Sequence, residues 1–204
     1  MEFYDVVNAR RTIRDFTETP VGIDVVKRIL SAGLKAPTND HMRNWEFVVV
    51  TDKQKIASII NLIPKRDTED IMQSWHFPDK CQQKMYNDAV PKQYEMLYKS
   101  GCLVLPFFKQ GSPLLKLKTL SSLNAFASIW CCIENILLAA TSEGLGAAIR
   151  IPLGNEPERI LEVLNHPEEY VMPCYIALGH PSAEAVIIKQ KEYIFEDRIH
   201  INQW

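Results

Sequence analysis

Glycine is scarce: the chain has 8 in 204 residues, against 12 prolines. That shortage excludes a collagen-like repeat. Net charge is nearly absent, since Lys+Arg number 23 and Asp+Glu 25, leaving −2. No overall basic field exists to hold nucleic acid or an anionic membrane, and neither is expected as a partner. The five cysteines are an odd number and include no Cys-x-x-Cys, so no disulfide scaffold is indicated. They read as reduced, mostly buried thiols of a cytoplasmic protein. The N-terminal MEFYDVVNARRTIRDF lacks the basic-then-apolar order of a secretory signal. The longest apolar stretch, 123–140, is interrupted by Asn124, Ser128, Glu134 and Asn135, which suits a buried helix better than a membrane span.

Chemical signatures are missing too. There is no G-x-G-x-x-G or G-x-x-x-x-G-K-[ST] for phosphate, and no G-x-S-x-G for a nucleophilic serine. His41, His76, His166, His180 and His200 show no ligand spacing, so no metal site is expected.

What remains is a globular composition, 47% hydrophobic and 24% charged. One domain spanning 1–204 is the expectation, and folding would remove roughly 70% of its extended-chain surface from water. Apolar spacing predicts helices over 2–9 and 21–36, the second stopped by Pro37. FVVVT at 47–51 reads as a buried strand, followed by a helix over 53–63 capped by Asp52. Residues 64–80, with Trp75 and His76, read as an irregular insertion; 80–99 is helical in pattern but broken or kinked by Pro91. A strand at 102–108 precedes a long helix opened by Ser121 or Ser122 and ended by Gly144. Strands at 147–151 and 171–178 flank a helix over 156–164. The tail after Ser182 is too apolar to float free. This order gives an α+β, three-layer domain rather than strict βαβ alternation.

Four segments carry the chemistry. Arg10, Arg11 and Arg14 form the densest cationic cluster, suited either to an anionic ligand or to a solvated face. Residues 36–45, APTNDHMRNW, gather hydrogen-bonding groups in one loop. EGLG at 143–146 is either a helix cap with a tight turn or a close approach to something flat. Lys189 and Lys191 alternate on an extended segment, on one face.

In this order the segments resemble the nitroreductase family of FMN-dependent oxidoreductases. RRTIRDF at 10–16 is similar to the family's RRSIRxF, and 36–50 to APSxxNxQPWxFVVV. EGLG at 143–146 and YIALGHP at 175–181 complete the likeness. The resemblance implies a mostly antiparallel sheet flanked by helices around a long central helix. It also implies an intertwined homodimer whose C-terminal arm embraces the partner, with non-covalent FMN at the interface. Arg10, Arg11, Thr12 and Arg14 would bind FMN, with Arg10 nearest the phosphate and Arg14 placed to favour the reduced flavin. Pro37, Thr38 and Asn39, with His41 at the place of a family Asn, would approach from the other subunit. Glu143, Gly144, Leu145 and Gly146 would lie by the isoalloxazine, and Lys189 and Lys191 would finish the phosphate site.

The implied activity is ping-pong oxidation of NAD(P)H and reduction of nitroaromatics, quinones or similar small acceptors, with no protein nucleophile. The alternatives are another reaction on the same fold, such as dehalogenation or flavin destruction, or a non-catalytic FMN carrier or sensor. The chain departs from the family pattern at His41, Arg43 and Asn44. Either His41 and Arg43 face the acceptor and favour anionic ones, or both point to solvent.

Overall fold

The computed structural model describes residues 1–66, 77–111 and 119–204, with Asp40 by its backbone alone. Its helices in chain order are α1 (Phe3–Ala9), α2 (Ile23–Gly33), α3 (Lys53–Ile59), α4 (Lys80–Ala89), α5 (Gln93–Tyr98), α6 (Asn124–Ser142) and α7 (Glu156–Leu164). Its strands are β1 (Trp45–Val50), β2 (Cys102–Lys109), β3 (Gly146–Arg150), β4 (Tyr170–Val171) and β5 (Tyr175–Gly179). All named strand pairs are antiparallel, in the order β1-β2-β5-β3 with β4 also on β2.

The continuous apolar strands follow from burial on both faces. Along β2, Cys102, Val104 and Phe108 pack into one core with Ile29 of α2 and Ile133 and Ile136 of α6. The alternate residues Leu103, Leu105 and Phe107 enter a second core with Ile56 of α3, Leu97 of α5 and Ile160 of α7. The sheet is therefore the middle of three layers, as the element order indicated. The helices α2 and α6 approach closely because Gly33 lies between them. A Cβ there would come within 2.7 Å of Ile136 Cγ1.

The expected strand over 171–178 is instead two strands, β4 and β5. Pro173 lies in the gap, has no N–H to donate, and cannot continue the ladder. The register slips by one residue across the break, since Val104 faces Ile176 while Phe108 faces Val171. Pro106 of β2 sits opposite this gap. Lys109 N–H donates to Asn44 on the β1 side, 3.0 Å away, so by alternation Pro106 turns its missing donor toward the break.

Other boundaries follow local chemistry. Asp52 caps α3 as expected, accepting from Lys55 N–H at 2.7 Å, but the helix ends at Ile59 rather than 63. Pro91 splits 80–99 into α4 and α5. The long helix starts at Asn124 behind a 3-10 turn (Leu120–Leu123) capped by Thr119, so Ser121 and Ser122 lie in the turn. Gly144, at φ +76°, ends it. The helix over Glu156–Leu164 has the bounds read from the sequence. Residues 64–66 and 77–79 are irregular, and Trp75 and His76 lie outside the described residues.

One buried ion pair was not visible in the sequence. Arg150, at the end of β3, binds Glu156, the first residue of α7, in two-pronged fashion, with Nη2–Oε1 at 2.7 Å. Both side chains are 5% exposed. The Tyr175 hydroxyl donates to the same carboxylate at 3.1 Å. Burial, then the neighbouring Glu156 charge, pushes that phenol well above its usual range. Removing one partner of such a pair strands the other charge. Glu156→Ala should therefore cost about 3–5 kcal/mol, read as a lowered urea midpoint at unchanged m.

Of the five thiols, Cys102, Cys132 and Cys174 are buried while Cys81 and Cys131 are exposed. Burial pushes the three buried thiols up to about 12. A maleimide at neutral pH should label Cys81 in the folded chain and reach Cys102, Cys132 and Cys174 only after unfolding, as peptide mass spectrometry would show.

Candidate functional site

The RRTIRDF segment is held along β3. Ile13 N–H donates to Ala147 O at 3.0 Å, and Thr12 forms a parallel bridge with Ala147. Ile13 is buried against Gly146, where a Cβ would lie only 2.7 Å from Ile13 Cβ. With Ile13 turned inward, Thr12 and Arg14 turn outward by extended-chain alternation.

They face a cavity of about 720 Å³, which Arg11, Arg14, Lys189 and Lys191 all line. The fold thus gathers cations from the two ends of the chain. Each has a polar tether: Arg14 to Asp88 at 3.4 Å, Lys189 to Glu192 at 2.5 Å, and Lys191 to Asp79 at 2.6 Å. Arg11 donates to the carbonyls of Asn8 and Arg10. Burial draws Arg14's proton affinity below its ordinary value, opposed by the charges of Asp88 and Asp15. Lys191 holds the Asp79 carboxyl below its usual range, helped by the N–H groups of Gln82 and Cys81, which Asp79 caps at the start of α4. Arg10 stands in a smaller cavity of about 220 Å³ that shares Arg11 and Thr12 with the first. Its Nε lies 3.8 Å from Glu134.

A second large cavity, about 660 Å³, opens where Tyr86 of α4 and Val90 just beyond it meet Gln93, the loop from Ile151 to Asn155 and Glu156 at the start of α7. Ile63, Ile151 and Leu153 give it apolar walls. The sequence reading missed this loop. Its signal was the run Ile151-Pro152-Leu153-Gly154, apolar and turn-forming directly after a strand. Leu153 is 66% exposed, which a core role does not explain.

The structure does not bring EGLG to either large cavity. Glu143 and Gly144 lie before the start of β3, and the cavity loop lies beyond its far end. Glu143 accepts from Arg28 of α2 through both carboxylate oxygens, at 2.8 and 2.7 Å, which holds its carboxyl below the usual range. Leu145 is core, and Gly146 serves the close approach of Ile13. Within this subunit the segment forms a helix terminus and a packing turn.

Pro37, Thr38 and Asn39 lie elsewhere, on a shallow cavity of about 290 Å³ beside the first half of α6. There Asn39 N–H donates to Ser128 Oγ at 3.1 Å and Asn124 Nδ2 donates to Asn39 Oδ1 at 3.2 Å. His41 is exposed, at φ +56°. Arg43 Nε donates to Leu34 O at 3.0 Å, capping the end of α2. Among the described residues no group of three or more His, Cys, Asp or Glu is arranged to hold a metal.

Comparison with known proteins bears on the family and the fold. The chain is 28% identical over 191 residues to an iodotyrosine deiodinase of Daphnia pulex, covering 91% of this chain and 61% of that protein. It is 25% identical over 211 residues to a putative NADH dehydrogenase/NAD(P)H nitroreductase of Methanothermobacter thermautotrophicus, covering 100% of this chain and 88% of that one. The chain spans 61–64% of the length of the deiodinases it matches first. The crystal structure of oxidized iodotyrosine deiodinase bound to FMN and 3-iodo-L-tyrosine superposes with a TM-score of 0.77 over 100% of both chains, at 18% identity, a likeness of fold. The Nitroreductase family matches residues 7–180. That match begins inside α1 and ends just past β5, taking in the whole sheet with the helices on both its faces, and the chain belongs to the nitroreductase family.

Proposed function

We propose that this chain is an FMN-dependent oxidoreductase, taking electrons from NAD(P)H and reducing a nitroaromatic, quinone or related small acceptor. The observation that carries the reading is the convergence of Arg11, Arg14, Lys189 and Lys191 on one cavity. A phosphate monoester carries about −1.5 to −2 charges at pH 7 and offers three acceptor oxygens. Guanidinium forks and ammonium groups answer that chemistry.

When bound, FMN supplies hydride chemistry between two substrates that use the site in turn. The protein's part is then to hold, orient and tune. Arg14, deprived of most of its water, offers a fixed positive charge without reorganisation. No side chain need act as a nucleophile.

A second reading has its own observation: several relatives that align over 91–93% of this chain are iodotyrosine deiodinases. On that reading the same cationic cavity serves reductive dehalogenation. Purified protein should show a flavin absorbance spectrum. Steady-state NAD(P)H oxidation with menadione or a nitroaromatic, against iodide release from 3-iodotyrosine, separates the two reactions. A colourless protein that ignores added FMN would remove both. Arg14→Ala should weaken FMN binding by about tenfold to a hundredfold, since a hydrogen bond to a charged group is worth about 1.5–3 kcal/mol. An unchanged dissociation constant would take Arg14 out of the site.

We further propose a homodimer, working in the cytoplasm. Support comes from the arm after Ser182, whose Ile187, Tyr193, Ile194, Phe195 and Trp204 are exposed, and from Phe3 and Tyr4 on the open face of α1. So many large apolar side chains left open fit an interface. Removing Glu192–Trp204 should yield monomer or insoluble protein in light scattering, with loss of flavin. A stable, flavin-loaded monomer would contradict the proposal.

A further inference from the structure

Arg14 belongs to an alternating chain of charges that the activity proposed above does not explain. It contacts Asp88 of α4 at 3.4 Å through a single pair of atoms. Asp88 is held more closely by Lys92, at 2.6 Å, and Lys92 reaches on to Asp15 at 2.7 Å. All four are largely withdrawn from water, with side-chain exposures of 16% for Arg14, 11% for Asp88 and 27% for Lys92 and Asp15. Two cations and two anions leave the set neutral. Lys92 lies four residues beyond Asp88, one helical turn on, at the N-cap position of α5.

Geometry divides the work. A single long contact to Asp88 leaves most of Arg14's five N–H donors for the cavity it lines. Asp88 is the nearest negative charge to Arg14, and it decides how much of the guanidinium's field reaches the cavity. Lys92, closer to Asp88 than Arg14 is, draws that negative charge away. Charges this far from bulk water are only weakly screened by salt. From this arrangement we infer that Asp88 and Lys92 are positioning residues, acting through Arg14 to set the positive charge the cavity presents to a bound phosphate ligand. The inference rests on the FMN reading and goes beyond it, naming two residues that need not touch the cofactor.

A purely structural staple between α4, α5 and the RRTIRDF segment is the competing account. It predicts that breaking the network anywhere weakens ligand binding. The charge account predicts opposite signs. Asp88→Asn keeps the shape and an acceptor oxygen but removes a negative charge, so FMN should bind more tightly. Lys92→Met keeps the stem but removes the cation, so Asp88 turns wholly on Arg14 and FMN should bind more weakly. Each change should be about three- to tenfold, the scale of a unit charge acting over several ångströms at intermediate dielectric.

The experiment is titration of FMN into full-length wild type, Asp88→Asn, Lys92→Met and Lys92→Arg, followed by flavin fluorescence, at low and high salt. Opposite shifts that persist in high salt, with Lys92→Arg restored to wild-type affinity, bear out the inference. Shifts in the same direction, no shifts, or shifts abolished by salt overturn it while leaving FMN binding itself intact. Wild-type protein that binds no FMN overturns the flavin reading, and this inference falls with it.

Discussion

The site depends on how Ile13 is held. Its N–H is bonded to Ala147, and its side chain fills the space that Gly146 leaves open. This fixes which residues of RRTIRDF face inward. A slip of one residue would bury Thr12 or Arg14 and expose Ile13. A few residues on, Phe16 bridges Pro181 and Thr17 N–H donates to His180 O at 2.9 Å. The segment is thus joined to β3 at one end and to the exit of β5 at the other. The arm leaves from that exit, which is why Lys189 and Lys191 return to the cavity that Arg11 and Arg14 line.

Charge is arranged locally, and the near-zero total conceals it. A net charge of −2 describes the whole chain and says nothing of a cavity with cations from both termini. Those cations are tolerable because each has a partner of suitable strength. Arg150 and Glu156 are paired twice over in the interior, with the Tyr175 hydroxyl on the same carboxylate. Arg14 has a loose partner and keeps its donors. Lys189 and Lys191 have exposed partners, whose attraction is weakened by water and readily exchanged for an anion. Burial of the pair, more than its length, therefore separates structural charges from those available for binding.

Much of the fold was legible because local chemistry decides it. The run at 47–50 announced β1, Pro91 announced the break between α4 and α5, and Asp52 announced the start of α3. The alternating and continuous apolar patterns foretold a sheet covered on both sides. Boundaries slipped where a partner strand decided them, as at the break between β4 and β5. In the site, the residue types of the cationic cluster were legible, but pairing was not. Nothing near Glu143 indicates Arg28, which lies 115 residues away. Nothing near Arg43 indicates that its Nε reaches the end of α2. The apolar cavity was overlooked because an exposed Leu153 is unremarkable in sequence and becomes informative only beside Tyr86 and Gln93.

The arm shows how weak local tethering and apolar content fit together. Within its own subunit it is anchored near its root, where Ser182 N–H donates to Asp15 O at 2.9 Å. Further out, Val186 N–H reaches the Asp15 carboxylate at 3.4 Å and Lys191 pairs with Asp79 at the surface. Beyond that, Tyr193, Ile194, Phe195, Ile199, Ile201 and Trp204 all remain open to solvent. Burying those side chains on another surface would gain far more than the exposed ion pair loses. An arm so lightly held can follow a partner surface without disturbing the sheet. Its lysines sit between the anchor and the apolar end, so docking of that end would steady the cation pair over the cavity. On the dimer proposed here, cofactor retention and subunit association would thus draw on the same stretch of chain.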